Sequence, residues 1–269
     1  LHLSIRRQRQ MCIRDSDTLS MQLEAGDGRY QVPGISSQEF PNLPEFQGAV
    51  EIKLRADRLA SIIQRTSFAV SRDELRPALT GVFLQIRPHE IRAVATDGHR
   101  LVRIIDQDFD YEGEPHELII PVKALNLIQR NIPDSGDVSI VVGPSQIRIE
   151  LDGTTLYSRL IEGKYPHYES VIPQANKDRM IVSNAELMQV VKRAQIFANP
   201  ISRQIVLTIR DNKLEITAED IEFGGRGNES LSIQYEGDEK VIGYNANYVL
   251  DLLKQVETCL LYTSDAADE

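Results

Sequence analysis

The chain of 269 residues is 41% hydrophobic and 26% charged, with a formal net charge of -10 and two cysteines. That length and apolar content suffice for one large domain or two to three small ones, and no uninterrupted apolar run approaches the roughly 20 residues of a membrane helix. The acidic total argues against a general nucleic-acid binder without excluding a locally basic face, and Cys12 and Cys259, each near an end, imply no disulfide framework.

Residues 1–16, "LHLSIRRQRQMCIRDS", are no secretory signal, because arginines interrupt any apolar stretch. Residues 258–269, "TCLLYTSDAADE", follow the amphipathic helix "NYVLDLLKQVE" without a turn signal. Both flanks read as translated adapter sequence and are set aside from fold reasoning; their charges of +3 and -3 cancel. Between them, "ISSQEFPNL" (35–43) closes a first unit with an aromatic-Pro step. A helix is predicted over 56–71, where Leu59, Ile62, Ile63, Thr66 and Val70 share one face. "GVFLQI" and "EIRAVAT" alternate as strands, and Asp97-Gly98 has the chemistry of a two-residue hairpin turn. Pro121 starts a second helix over 122–132. Strands "VSIVVG", "QIRIEL" and "TLYSRLI" then turn at Gly143-Pro144 and Asp152-Gly153.

The rest of the chain repeats this pattern. "ADRLASIIQRTSFAVS" (56–71) aligns with "NAELMQVVKRAQIFAN" (184–199) at a shift of 128, and "VFLQIRPHEIRAVATD" (82–97) with "IVLTIRDNKLEITAED" (205–220) at a shift of 123. "LIEGKYPHY" (160–168) echoes the aromatic-Pro closure of the first unit. The organisation expected is therefore the end of one unit over 17–47, a complete unit over 48–174 and a truncated one over 175–257, each an α+β assembly of antiparallel sheet and two helices.

Arg58, Ser61, Arg65 and Arg72 fall within one arc of the first helix, on which no carboxylate lies. Lys123, Asn126 and Arg130 form a similar arc on the second helix, and Gln189, Lys192 and Arg193 on the third-unit helix. An ordinary solvated face accounts for one such helix; three in repeated units point to sequence-independent phosphate contact, which needs only Lys and Arg at loose spacing. Enzymatic signatures are missing: no G-x-S-x-G, H-E-x-x-H or Walker loop occurs, and the body has no cysteine. "GGRG" (224–227) reads as a flexible hairpin, and His89, His116 and His167 as surface residues without metal-ligand spacing. No cofactor is expected. Asp97 and His99 are close enough in sequence for acid-base chemistry, yet the next unit has "TAEDIEFGG" there, keeping the acid and lacking "GHRL".

"VATDGHRL", with "RPALTGVFL" upstream, "IIPVKALNLI" between and "EGKYPHYESVIP" at the unit end, closely resembles the bacterial DNA polymerase sliding clamp, the beta subunit of the replicative polymerase, over about residues 17–257. The resemblance implies a DNA clamp fold and a non-catalytic processivity factor: a cytoplasmic, nucleoid-associated protein whose homodimer ring encircles duplex DNA. It implies no metal and no membrane. It further implies a pocket for short linear peptides of the polymerase, clamp loader and repair polymerases at Leu79, Thr96, Gly98, His99, Arg100, Leu101, Pro166, Val171 and Tyr248, with Ser170 where the family often has a basic residue. DNA contact is implied at Arg72, Arg76, Lys123 and Arg130, beside Arg58 and Arg65 of the basic arc, and protomer contact at Tyr30, Val32, Ile196 and Phe197. The alternatives are a repeat scaffold that binds protein only, and a hydrolase using Asp97 and His99.

Overall fold

The computed structural model describes residues 10–15, 19–39, 46, 49–173, 179–256 and 260–263. The chain divides into two compact units, Leu1–Gln47 and Gly48–Glu269. The first holds an antiparallel three-stranded sheet of β1 (Gln10–Asp15), β2 (Ser20–Ala25) and β3 (Gly28–Pro33), with β2 central. Gly26, at φ +61°, makes the tight β2–β3 turn. β1 falls inside the flank set aside on sequence grounds, and it pairs with β2 along its whole length, Gln10 opposite Ala25 through Asp15 opposite Ser20. The Phe40-Pro41 step and residues 1–9 lie outside the described residues.

The second unit contains two copies of one plan. The first copy runs β4 (Val50–Arg55), α1 (Ala56–Thr66), β5 (Gly81–Arg87), β6 (Glu90–Thr96), β7 (Leu101–Asp106), β8 (His116–Pro121), α2 (Val122–Asn131), β9 (Asp137–Val142), β10 (Gln146–Leu151) and β11 (Thr154–Arg159). Its sheets have the orders β7-β6-β5-β8 and β11-β10-β9-β4. The second copy runs β12 (Arg179–Ser183), α3 (Asn184–Ala194), β13 (Gln204–Arg210), β14 (Lys213–Asp220), β15 (Gly225–Ser232), β16 (Gln234–Glu236), β17 (Lys240–Asn245), α4 (Ala246–Leu253) and β18 (Leu260–Thr263). Its sheets are β15-β14-β13-β17 and β16-β12-β18, so β12 pairs with β18 as β4 pairs with β9. β18 belongs to the other flank set aside; residues 258, 259 and 264–269 of that flank are outside the described residues. All the strand pairs are antiparallel.

Each copy has its own core. In the first, Leu59, Ile62 and Ile63 of α1 and Leu125 and Ile128 of α2 meet the inward residues of both sheets; in the second, Leu187, Val190 and Val191 of α3 meet Ile205, Leu214 and Ile216. α1 stops five residues short of its predicted end: Thr66 is fully buried and its hydroxyl donates to the Ile62 carbonyl at 2.7 Å, after which Ser67–Ala69 tighten into a 3-10 turn. α3 likewise ends at Ala194 and passes into a 3-10 turn over Gln195–Phe197. No helix among the described residues is long and apolar enough to cross a membrane.

The two copies differ in how their outer sheet face is covered. β5 is buried on both faces, whereas β13 alternates between buried and more exposed residues. The cause is the segment after β11, which lays Tyr165 flat on Phe83 with ring centroids 4.7 Å apart and sets Tyr168 edge-on to Phe83 at 6.4 Å. Leu79, Val94 and Ile119 complete this satellite cluster. Burial pushes the Tyr165 phenol up to about 12, so it stays neutral. The Tyr168 hydroxyl donates to Gln85 Oε1 at 2.7 Å, and Gln85 Nε2 donates to Glu117 Oε1 at 2.7 Å, so the buried Gln85 amide is satisfied at both ends. Tyr168→Phe removes one donor and leaves that oxygen unpaired. The expected cost is about 1–3 kcal/mol in denaturant unfolding, with little change in far-UV circular dichroism.

Candidate functional site

β6 and β7 are joined by a four-residue loop, Asp97–Arg100, not by a two-residue turn at Asp97-Gly98: the last ladder pair is Thr96 with Leu101. Side-chain hydrogen bonds explain the longer loop. Asp97 Oδ1 accepts the backbone N–H groups of His99 at 2.9 Å and Arg100 at 3.1 Å, so the chain wraps around the carboxylate. Thr96 Oγ1 accepts from Gly98 N at 3.1 Å and donates to the Arg100 carbonyl at 2.7 Å. Gly98 sits at φ +94°, and a Cβ there would approach Arg76 Nη1 to 3.0 Å, which makes glycine the fitting residue. In the second copy Asp220 Oδ1 accepts from Glu222 N at 3.1 Å and Phe223 N at 3.4 Å, the same turn with different residues on it.

The loop presents Arg100 to the second copy. Its Nε donates to Asp97 Oδ2 at 3.1 Å, Nη2 to the Phe68 carbonyl at 2.7 Å, and Nη1 to Asp251 Oδ2 on α4 at 3.0 Å. Its Cζ lies 5.2 Å from the Phe68 ring centroid and 4.5 Å from that of Tyr248. The Tyr248 ring also stacks against His99, centroid to centroid 6.2 Å. Asp97 is thus taken up by the turn, and the His99 imidazole faces an aromatic ring; the geometry offers no Asp-His acid-base pair. Among the described residues no group of three or more His, Cys, Asp or Glu could hold a metal.

Beside this junction lies a cavity of about 420 Å³, mostly apolar, whose walls include His99, Arg100, Leu101 and Tyr248. Most of the wall comes from the second copy: Met180, Leu207 and Ile209 from strands, Val249 and Leu253 from α4, with Lys240 as a second cation. Those positions were not singled out from sequence, because nothing local distinguishes a core residue from one lining a cleft. The other expected pocket residues do not line this cavity. Thr96 and Gly98 build the loop, Leu79 is buried in the satellite cluster, Pro166 lines a separate groove of about 750 Å³, and Val171 is 68% exposed on a 3-10 turn. The Ser170 hydroxyl donates to the His167 carbonyl at 2.8 Å. His116, expected at the surface, is half-buried.

Of the basic residues, Lys123 and Arg130 on α2 and Arg72 and Arg76 on the loop after α1 are exposed, and Arg65 is half-buried. Arg76 is held by Asp73 at 2.9 Å and reaches the Asp97 carbonyl at 3.4 Å. Arg58 departs from the expectation. The arc carries no carboxylate of its own, but β7 supplies Asp106, both oxygens of which accept from Arg58 at 2.7 Å, and the following Asp108 accepts at 2.6 Å. Arg193 is paired with Glu229 through two 2.7 Å bonds, while Lys192 is exposed. Tyr30 and Val32 are exposed on β3, an edge strand. Ile196 and Phe197 are exposed beside β15, another edge strand, with the Phe197 ring against Gly227.

Two family models match in succession: the central domain of the DNA polymerase III beta subunit over residues 53–167 and its C-terminal domain over 169–260. The beta sliding clamp of Chlamydia pneumoniae is 33% identical over 236 residues, and that of Pseudomonas putida 32% identical over 244. The chain belongs to the bacterial sliding clamp family. Those alignments take in 87% and 90% of this chain and 63% and 66% of the two clamps, so the chain spans a little under two-thirds of their length. Its architecture is the α+β clamp fold. The DNA polymerase III beta subunit of Pseudomonas aeruginosa superimposes with a TM-score of 0.85 at 28% identity, covering 96% of this chain and 71% of that one. The Bacillus subtilis clamp gives 0.84 at 28%, covering 97% and 70%. A further match, at TM-score 0.81 and 29% identity over 92% of this chain and 68% of that one, is a P. aeruginosa clamp bound to griselimycin.

The Asp251 carboxyl is subject to opposed effects. Burial alone would push it up, but hydrogen bonds from Arg100 and Lys254 outweigh burial and hold it below the ordinary value of 3.8. A depressed folded-state value means that the pair stabilises the fold above the unfolded carboxyl's pKa and that this contribution is lost as pH falls through the lower folded value. The unfolding free energy of Asp251→Asn is therefore expected to lie about 1 kcal/mol or less below that of the unsubstituted chain. That gap should stay constant from about pH 7 to about pH 5 and close in strong acid; parallel denaturant titrations across pH check it.

Proposed function

We propose that this chain acts as part of a non-catalytic processivity clamp: it encircles duplex DNA without regard to sequence and tethers the replicative polymerase. The clamp loader and repair polymerases dock at the same place through short linear peptides. The observation that carries the reading is the cavity at the junction of the two copies, apolar on its walls and rimmed by His99 and Arg100, in a member of the sliding clamp family. Apolar anchors entering a cleft with a few orienting polar groups are what peptide docking requires. Pro166 and Val171 extend this surface away from the cavity, on the first copy alone, and Leu79 stays within the satellite cluster. The griselimycin complex of the P. aeruginosa clamp supports the same use, and griselimycin is the natural probe. Leu101→Asp sets a carboxylate against apolar walls and should weaken griselimycin binding at least ten-fold by calorimetry, with far-UV circular dichroism still that of the folded chain and a somewhat lower thermal midpoint, because Leu101 also packs against the satellite cluster. Unchanged affinity would remove Leu101 from the site.

For DNA, Arg65, Arg72, Arg76, Lys123 and Arg130 are the phosphate-contacting set, and Arg58 serves the fold through its two aspartates. Binding of the chain to a 30-base-pair duplex should fall with salt and be indifferent to sequence. Lys123→Ala and Arg130→Ala should each reduce the slope of log affinity against log salt by about 1; a slope that does not change in either variant refutes the assignment. Two protomers meet by β-augmentation, the β3 edge with Tyr30 and Val32 of one laid along the β15 edge with Ile196 and Phe197 of its partner. Such a homodimer gives a closed ring, and a ring on DNA is a nucleoid-associated protein of the cytoplasm.

A further inference from the structure

Asp251 lies on α4 three residues beyond Tyr248 and does not line the cavity. Its two oxygens are divided between cations: Oδ1 accepts from Lys254 Nζ at 3.1 Å and Oδ2 from Arg100 Nη1 at 3.0 Å. Arg100 is nearly buried, with 13% of its side chain exposed, against 34% for Asp251 and 54% for Lys254. Of the three acceptors that hold the Arg100 guanidinium, Asp97 Oδ2 and the Phe68 carbonyl belong to the first copy and only Asp251 to the second. The same guanidinium lies 4.5 Å from the Tyr248 ring centroid, and that ring in turn stacks on His99 at 6.2 Å. The two aromatic groups that face the cavity from opposite copies are therefore registered through one cation, and that cation is joined to α4 by one carboxylate.

We infer that Asp251 is a positioning residue of the docking site: without touching a bound peptide, it fastens Arg100 to α4 and so holds Tyr248 against His99 in the arrangement a ligand meets. Arg100 accordingly works as the rivet between the copies. An arginine suits this task because its planar head can bond in its plane to several acceptors while presenting a face to an aromatic ring. The exposed Lys254 shares the carboxylate but reaches neither ring, so it is the internal control. The inference rests on the reading of the cavity as a docking site.

The test uses the whole chain and two measurements on Asp251→Asn, Asp251→Glu and Lys254→Ala. The first is fluorine NMR of protein labelled with 3-fluorotyrosine, the Tyr248 resonance being assigned by its loss in Tyr248→Phe. The second is calorimetric titration with griselimycin. Asp251→Asn keeps the side chain's shape and should shift or broaden the Tyr248 signal and weaken griselimycin about five-fold, the range in which contacting charged groups couple. Asp251→Glu should recover most of both effects, and Lys254→Ala should match the unsubstituted chain in both. An unmoved Tyr248 resonance in Asp251→Asn, or an affinity unchanged beside a binding unsubstituted chain, overturns the inference alone. Failure of the unsubstituted chain to bind griselimycin overturns the docking reading on which it rests.

Discussion

One guanidinium joins the two copies of the repeat. Arg100 binds a carboxylate from each and the Phe68 carbonyl of the 3-10 turn after α1, with a ring from each copy within reach of its π face. Removing a charge from water is costly unless its hydrogen-bonding capacity is met, and here carboxylates on either side meet it. The first copy supplies two of the three acceptors and the second supplies one. The constraint is stringent in geometry and modest in energy, since both carboxylates retain some contact with solvent. Its consequence is positional: at the cleft between the copies, His99 and Arg100 of the first lie against Tyr248 of the second.

The site lies where the copies differ. Their sheets β7-β6-β5-β8 and β15-β14-β13-β17 share one order, β12 pairs with β18 as β4 pairs with β9, and their β6–β7 and β14–β15 loops use the same aspartate turn at Asp97 and Asp220. The first copy then departs in three places. Its loop between α1 and β5 is five residues longer and carries Arg72 and Arg76; its turn bears His99, Arg100 and Leu101; and its closing segment stacks Tyr165 and Tyr168 on the outer sheet face. Asp97 therefore serves the fold, and the residues that follow it, His99, Arg100 and Leu101, line the cavity. An acid-base pairing of Asp97 with His99 loses its motive on the same ground, because the turn consumes the acid in both copies.

Much of this was legible before any coordinates. The 128- and 123-residue shifts located two copies of one unit, and period-two and helical patterns located β5, β6, β9, β10 and β11 with α1 and α2 in the first, the alignment carrying α3, β13 and β14 of the second. Helix ends were misjudged where a 3-10 turn carries the hydrophobic pattern on, as after Thr66 and Ala194. The loop at Asp97 was misjudged because Asp-Gly also favours a two-residue turn, and only the Thr96 and Asp97 side-chain bonds decide between them. Of the candidate pocket, His99, Arg100, Leu101 and Tyr248 could be named from a resemblance. Its far wall could not, since Met180, Leu207 and Leu253 have the pattern of any core residue. Asp251 escaped for a different reason: its partner is 151 residues away, and no local rule couples residues at that separation.

Charge shows the same division between what a helix carries and what its neighbours supply. Read alone, α1 offers Arg58 to solvent; folded, it meets Asp106 and Asp108 of an adjoining strand and its continuation, and Arg193 of α3 meets Glu229 of β15 in the same manner. Two of the helix cations are thus neutralised by sheet carboxylates at close range. Those on α2, Lys123 and Arg130, are exposed. At physiological salt the field of a charge decays over about 8 Å, so a duplex beside α2 would respond to these cations and hardly at all to the total of -10. The net charge acts at longer range and lower salt, where it opposes adhesion to polyanions by any other face.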